Sequence, residues 1–388
     1  MDSRIFRKEF VKSTLLIGSG GLILQLLLFP QPFYTFVFFV YISRMVTARN
    51  IGFVKFISWG VPHFIWLMIW SGLVAYLYHH EYLTFDIPWL PISVIGTAVA
   101  FYVGFKNNKS FDRMWEARKI WGAIVNSSRS WGMYVDNYIT NQFAANEQTP
   151  EKMKEIKKRM IYRHIGWLYT LRSQLLIPTP WEHSSQAGHM GRAAKKYQNK
   201  FGVGLVDDEV TKISLKYYLP LTEHDRLIAQ QNTATQIINQ QSRDLVQLRE
   251  LGLIEDFRHM ELGKILSDFY THQGKLERIK KFPLPRQYAN MSRYFVGIFI
   301  ALIPFSMVPE LTGVGPLGVW LSVPISALIG WVYLMMELVG DYSENPFSGM
   351  ANDIPMLSLC RTIEIDLREM LGETEIPEPI PIVNDVLM

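Results

Sequence analysis

Apart from the N-terminal region at 13–43, which Pro30 and Pro32 interrupt, four stretches of the chain contain no Asp, Glu, Lys or Arg and are long enough, or nearly so, to cross a lipid bilayer. They are residues 56–80, 87–105, 294–309 and 311–336. A helix needs about 20 apolar residues to span a hydrocarbon core roughly 30 Å thick. The 388 residues are 49% hydrophobic, yet their mean hydropathy is only +0.07, so the apolar residues must be concentrated in a few segments. We therefore predict an all-α membrane protein with four transmembrane helices and a large polar helical part.

The distribution of basic residues predicts the orientation of these helices. The loop at residues 79–86 joins the first pair of spans, Glu310 joins the second pair, and neither connection contains Lys or Arg. Basic residues cluster on the opposite flanks, and such clusters favour the cytosolic side of a membrane. The long middle segment is therefore expected in the cytosol. The single cysteine, Cys360, excludes an intramolecular disulfide and agrees with a reducing compartment.

Two sequence runs resemble signatures of the bestrophin family. One is GFKNNKSFDRMWEARKIWG at residues 104–122, directly after the second span, and the other is ENPF at residues 344–347, after the fourth. Their order and spacing are similar to those of bacterial members, and the resemblance covers roughly residues 50–370. It implies a homopentamer with a single central pore, lined by a pore helix that we place at residues 89–105.

These signatures and the charge pattern together predict the organisation of the chain. The expected segments are an N-terminal apolar or interfacial extension at 1–50, transmembrane helices 1 and 2 at 51–105, a cytosolic helical domain at 106–290, transmembrane helices 3 and 4 at 291–340, and a cytosolic C-terminal segment at 341–388.

Three residues of the pore helix match the family's narrow neck when counted back from Arg113. Thr97, Phe101 and Phe105 are spaced i, i+4 and i+8, which places them on one helix face. Five copies would form three stacked rings, two of them aromatic, and hydrophobic constrictions of this kind gate by dewetting. The family usually has a larger aliphatic residue where this chain has Thr97, so we expect a wider outer ring. Without the resemblance, the stripe would be interpreted as helix packing.

The resemblance also implies a second constriction, the cytosolic aperture, near Phe257. A shift of the register by one residue would place the aperture at Arg258 instead. Calcium activation of the animal type is not expected, because Ca²⁺ takes six to eight oxygen ligands. In residues 348–353, directly after Phe347, only Asp353 supplies a side-chain carboxylate.

Asn345 and Asp353 are expected to cap helices or to tie the cytosolic domain to the membrane base. Ion pairs between helices or subunits are expected for Arg113, Glu116, Arg118 and Lys119. The remaining signature residues are Asn107, Asn108, Pro346 and Phe347.

The function predicted from this pattern is a pentameric ion channel, not an enzyme, that conducts chloride or other small ions. A monovalent-cation-selective channel of the same architecture stays open, because the neck residues are uncharged. A membrane-anchored scaffold or sensor is a further alternative. A secondary transporter would need an ionisable residue near the bilayer midplane, for which His63 is the only candidate.

The expected partners are further copies of the chain, small ions and membrane lipid, and no nucleic acid. The expected location is the cell membrane, with several spans and most of the chain in the cytoplasm. No cofactor and no metal are expected. His183 and His189, near Glu182, match no metal-binding spacing.

Overall fold

The computed structural model describes residues 53–182, 213–315, 317–349 and 353–381, together with residues 185, 192, 195, 207 and 208. The extension expected at residues 1–50 lies outside this part of the chain. The helices are α1 (Phe53–His79), α2 (Trp89–Tyr138), α3 (Pro150–Leu176), α4 (Leu221–Ile228), α5 (Thr233–Glu250), α6 (Asp256–Lys281), α7 (Arg286–Thr312), α8 (Gly318–Tyr342) and α9 (Met356–Met370). Two short strands, β1 (Asp207–Asp208) and β2 (Ile213–Ser214), pair antiparallel, and a 3-10 turn at Leu215–Tyr217 follows them.

The described residues divide into two compact units. The first, here called the membrane unit, comprises residues 53–108 and 285–341, and contains α1, the beginning of α2, α7 and most of α8. Four helices, α1, α2, α7 and α8, are long and apolar enough to cross a bilayer. The structure therefore agrees with the four spans expected from the sequence. Ile65, Ile69 and Leu73 of α1 are exposed, as expected for side chains that contact lipid.

Two boundaries of the spans differ from those read from the charge pattern. The turn expected at Glu310 lies further along the chain, because α7 continues to Thr312 and α8 begins only at Gly318. Gly315 in this connection has a φ of 132°, a conformation that glycine adopts without the steric cost of a Cβ atom. A charged residue therefore marks the end of the apolar run here, but not the end of the helix.

Several prolines lie within the helices of the membrane unit. Pro91 lies in the first turn of α2, where a backbone N–H has no intrahelical acceptor and its absence costs little. Pro91 is therefore compatible with a regular start of α2. In α7, the helix continues through both Pro304 and Pro309.

The helices of the membrane unit approach closely at two glycines. The indole Nε1 of Trp331 donates to the carbonyl of Gly60 at 2.9 Å, and the hydroxyl of Tyr333 donates to that of Gly96 at 3.1 Å. A Cβ atom at Gly96 would lie 2.7 Å from the Phe299 ring. Glycine is thus required where α2 packs against α7 and α8.

The second unit, here called the polar unit, comprises residues 109–284 and 342–381 of the described chain. Its core forms where α3 packs against α5, α6 and α9. His164 of α3 is fully buried between the rings of Trp167 and Phe269, and its Nε2 lies 2.9 Å from the Ser128 hydroxyl. Burial lowers the pKa of the His164 imidazole to about 3, so the ring is neutral at physiological pH.

A buried arginine also holds the polar unit together. The Arg163 guanidinium forms three hydrogen bonds with the Glu223 carboxylate, at 2.7, 2.8 and 3.1 Å, and one with Asp244 at 2.5 Å. Planar contacts of this type fix the geometry of a charge pair. They connect α3 to α4 and α5.

Candidate functional site

The face of α2 that contains Thr97, Phe101 and Phe105 is not used for packing within the membrane unit. Thr97 is exposed, and Phe101 and Phe105 are 67% and 63% exposed. Val99 and Val103, between them in sequence, are buried against the other helices. Two large aromatic side chains of a candidate transmembrane helix are therefore left mostly exposed by the described residues of the membrane unit.

The residue after Phe105 is buried and forms an ion pair. The Lys106 side chain is 1% exposed and its ammonium contacts the carboxylate of Glu337 on α8, which is 6% exposed. The Ser292 hydroxyl of α7 donates to the same carboxylate at 2.9 Å, and Lys106 also donates to the Ala289 carbonyl at 3.4 Å. Lys106 thus anchors α2 to α7 and α8 directly beside Phe105.

The sequence pattern alone does not indicate this network. Lys106 directly follows the second apolar run, and Glu337 directly follows the fourth, so each residue marks only the end of a charge-free stretch. Intramembrane or near-membrane charges are rare and need partners. That rule could have identified Glu337 as a residue that requires a buried cation.

The two neighbouring asparagines of the signature have different environments. The Asn107 amide donates to the Met336 carbonyl of α8 at 3.0 Å, whereas Asn108 is exposed. A Cβ atom at Gly340 would collide with the Asn107 side chain. Asn107 therefore has a packing role within the membrane unit, and Gly340 provides the space for it.

Arg113 binds the C-terminal end of α6 within the polar unit. Its guanidinium donates to the carbonyl of Phe282 at 2.5 Å and to that of Ile279. The last carbonyls of a helix have no intrahelical donors and carry a partial negative charge. Glu116, one turn further along α2, forms an ion pair with Arg278 at 2.7 Å. Both residues thus contact α6, Glu116 through an ion pair and Arg113 through backbone carbonyls, while Arg118 and Lys119 are exposed.

Arg258 makes the equivalent contact at the opposite end of the same pair of helices. It donates to the carbonyl of Tyr138, the last residue of α2, at 3.2 Å, to the Thr140 hydroxyl at 3.1 Å and to the Gln142 amide oxygen at 2.9 Å. The adjacent Phe257 is 77% exposed. Of the two aperture candidates, Arg258 is therefore engaged in packing, whereas Phe257 is available to another surface.

The Asn345-Pro346-Phe347 segment is buried within the polar unit, as is Asp353. The carbonyl of Phe347 accepts a hydrogen bond from Lys280 at 3.4 Å, and the Lys280 ammonium also lies 2.5 Å from the buried carboxylate of Glu182. Burial lowers the pKa of Lys280, and the carboxylates of Glu182 and Asp353 oppose this shift. The N-cap of α9 is Pro355, so Asp353 is not its capping residue.

The residues that the structure describes contain no group of three or more His, Cys, Asp or Glu side chains arranged as a metal site. His183 and His189 lie outside these residues. Glu182, the third member of that candidate set, forms the ion pair with Lys280.

The four candidate spans, the uncovered aromatic face of α2 and the arginine-linked helices of the polar unit define a helical membrane protein. Residues 55–369 match the family model for the bacterial and fungal bestrophins. Because this match extends over most of the 388 residues, the chain belongs to the bestrophin family.

Individual relatives and solved structures agree with this assignment. The chain is 27% identical over 290 residues to the voltage-dependent anion channel-forming protein YneE of Escherichia coli K12. The aligned region covers 75% of this chain and 79% of YneE. It is 25% identical over 312 residues to the protein of the same description, RSc3414, of Ralstonia nicotianae. A bestrophin homologue from Klebsiella pneumoniae has a similar fold, with a TM-score of 0.64 and 22% identity, over 81% of this chain and 99% of the homologue.

Proposed function

We propose that the protein is the subunit of a homopentameric anion channel of the cell membrane, with chloride as the principal ion and the polar unit in the cytosol. Family membership and the relatives described as voltage-dependent anion channel-forming proteins support this proposal. Lys and Arg are absent from residues 79–86, which agrees with an orientation that places this loop outside the cell and the polar unit in the cytosol.

The observation that supports a pore most directly is the exposure of Phe101 and Phe105 on α2. In a cyclic assembly with this face toward the axis, Thr97, Phe101 and Phe105 form three rings. The two phenylalanine rings are apolar and exclude water when the opening is narrow, which closes the pore to hydrated ions. The ion pair of Lys106 with Glu337 anchors α2 to α8 and thereby limits rotation of the helix that presents the phenylalanine face.

We assign the cytosolic aperture to Phe257. Its high exposure at the beginning of α6 leaves the ring available to face a symmetry axis, and the contacts of Arg258 with the end of α2 hold this turn in place. In this arrangement Arg258 stabilises the turn that presents Phe257, through its hydrogen bonds to the end of α2, and does not contact the ion.

A cation-selective channel of the same architecture is the second candidate. It is favoured by the absence of a positively charged side chain among the three neck residues. Selectivity for either sign would then depend on neutral groups and on the field of the surrounding protein.

The experiment that tests the proposal is a reversal-potential measurement on the purified protein in planar bilayers, across a KCl gradient and then a NaCl gradient. The anion channel predicts reversal on the chloride side of zero in both salts. Reversal on the cation side of zero would support an ion channel but would show that it selects cations and not chloride. No current, together with a particle mass that is not that of a pentamer, would refute the channel and favour a membrane-anchored scaffold or sensor.

A further inference from the structure

The neck-forming part of α2 has two hydroxyl groups on the N-terminal side of the phenylalanines, and both donate to the backbone of their own helix. Thr97 Oγ1 donates to the carbonyl oxygen of Ser93 at 2.9 Å, and Ser93 Oγ donates to that of Leu90 at 2.7 Å. A hydroxyl has one proton to donate and two lone pairs that accept. Because the proton of each hydroxyl is already used, these oxygens can only accept.

The other side chains on this stretch of the helix face add no competing donor. Val94 and Phe101, the exposed neighbours on either side of Thr97, are apolar. Thr97 is exposed and lies about two turns into α2. The positive end of a helix acts mainly within its first turn, so the field of the α2 N-terminus is weak at this oxygen.

We propose that the Thr97 hydroxyl oxygens form an acceptor-only ring that binds an alkali-metal cation at the N-terminal end of the neck. This inference rests on the proposed function, since the ring exists only in a cyclic assembly with α2 at the axis. Oxygen ligands suit hard cations, whereas chloride needs donors. The ring therefore lowers the barrier to sodium and potassium and reduces the preference of the pore for chloride.

The inference is specific to this chain. The bestrophin resemblance implies a larger aliphatic residue at this position, which would offer no ligand to an ion of either sign. The threonine replaces an apolar ring by a polar one and leaves Phe101 and Phe105 to exclude water.

The test compares Thr97→Val with the wild type by the reversal potential of the full-length channel in bilayers with a NaCl gradient. Valine has the shape of threonine without the oxygen. The ratio of sodium to chloride permeability should fall roughly fivefold, the factor that corresponds to the loss of about 1 kcal/mol of cation stabilisation at 25 °C. Thr97→Ser keeps a hydroxyl and should retain most of the wild-type ratio.

Thr312→Val is the matched control. Thr312 Oγ1 makes the same type of backbone hydrogen bond, to the Val308 carbonyl at 2.7 Å, but on α7. Its removal should leave the permeability ratio unchanged. Thr97→Ala also removes the oxygen and provides a second variant if Thr97→Val does not assemble.

The inference is overturned if either oxygen-free variant conducts with the wild-type sodium-to-chloride ratio. It is equally overturned if Thr312→Val produces the same change as Thr97→Val. Absence of current from the wild type would instead count against the proposed function itself, so the two failures are distinguishable.

Discussion

The ion pair between Lys106 and Glu337 leads to a prediction that does not depend on measuring current. Lys106→Met removes the ammonium from a site where its side chain is 1% exposed and leaves the carboxylate of Glu337, 6% exposed, without its principal partner. An uncompensated buried charge costs about 3–5 kcal/mol. Lys106→Met/Glu337→Met replaces both ions by apolar side chains of similar length, and should recover to within about 1–2 kcal/mol of the wild type.

The free energy of unfolding is measured by titrating the protein with SDS in mixed micelles. The wild type, both single variants and the double variant are compared. Lys109→Met is the control, because the Lys109 side chain is 71% exposed and pairs with Asp112 at 3.4 Å, which predicts a loss of about 0–1 kcal/mol. The reasoning is refuted if Lys106→Met costs no more than Lys109→Met. It is also refuted if the decrease in the free energy of unfolding of the double variant equals the sum of the decreases in the two single variants.

Three further predictions concern packing and protonation. Arg258→Ala removes the hydrogen bonds to the end of α2 and should reduce the free energy of unfolding by about 2–3 kcal/mol. A loss no larger than that caused by replacing an exposed arginine would contradict the packing role of Arg258. Gly96→Ala places a methyl group 2.7 Å from the Phe299 ring and should lower the thermal unfolding temperature; Gly104→Ala, with no atom within 4 Å of the added carbon, should not. The lowered pKa of His164 means that the unfolded chain binds the additional proton, so stability should fall by about 2 kcal/mol between about pH 7.5 and about pH 5. His164→Gln should lack this component, and an identical pH dependence in both proteins would refute it.

The number and approximate position of the spans could be predicted because burial in lipid is decided by local composition. The ends of the helices could not, and α7 illustrates the reason. Glu310 ends the apolar run, but a helix continues for as long as its backbone hydrogen bonds are satisfied, and here it reaches Thr312. The conformation of Gly315, and not a charge, accompanies the turn.

The spacing of Thr97, Phe101 and Phe105 places them on one face because helix periodicity is a local property. Which charges are paired is not local. Lys106 and Glu337 are 231 residues apart in sequence, and neither residue type identifies the other. The aperture register was ambiguous by one residue for the same reason, since the contacts that distinguish Arg258 from Phe257 are made with the distant end of α2.

Cysteine modification at Thr97 tests most directly whether this face of α2 lines the conduction pathway. The native Cys360 is buried, and burial raises the pKa of its thiol to about 12, so it should not react. A charged methanethiosulfonate reagent should change the current through Thr97→Cys and leave that through Ile69→Cys, on the exposed face of α1, unaltered. An unchanged current through a Thr97→Cys channel whose thiol is shown to be modified would contradict the account.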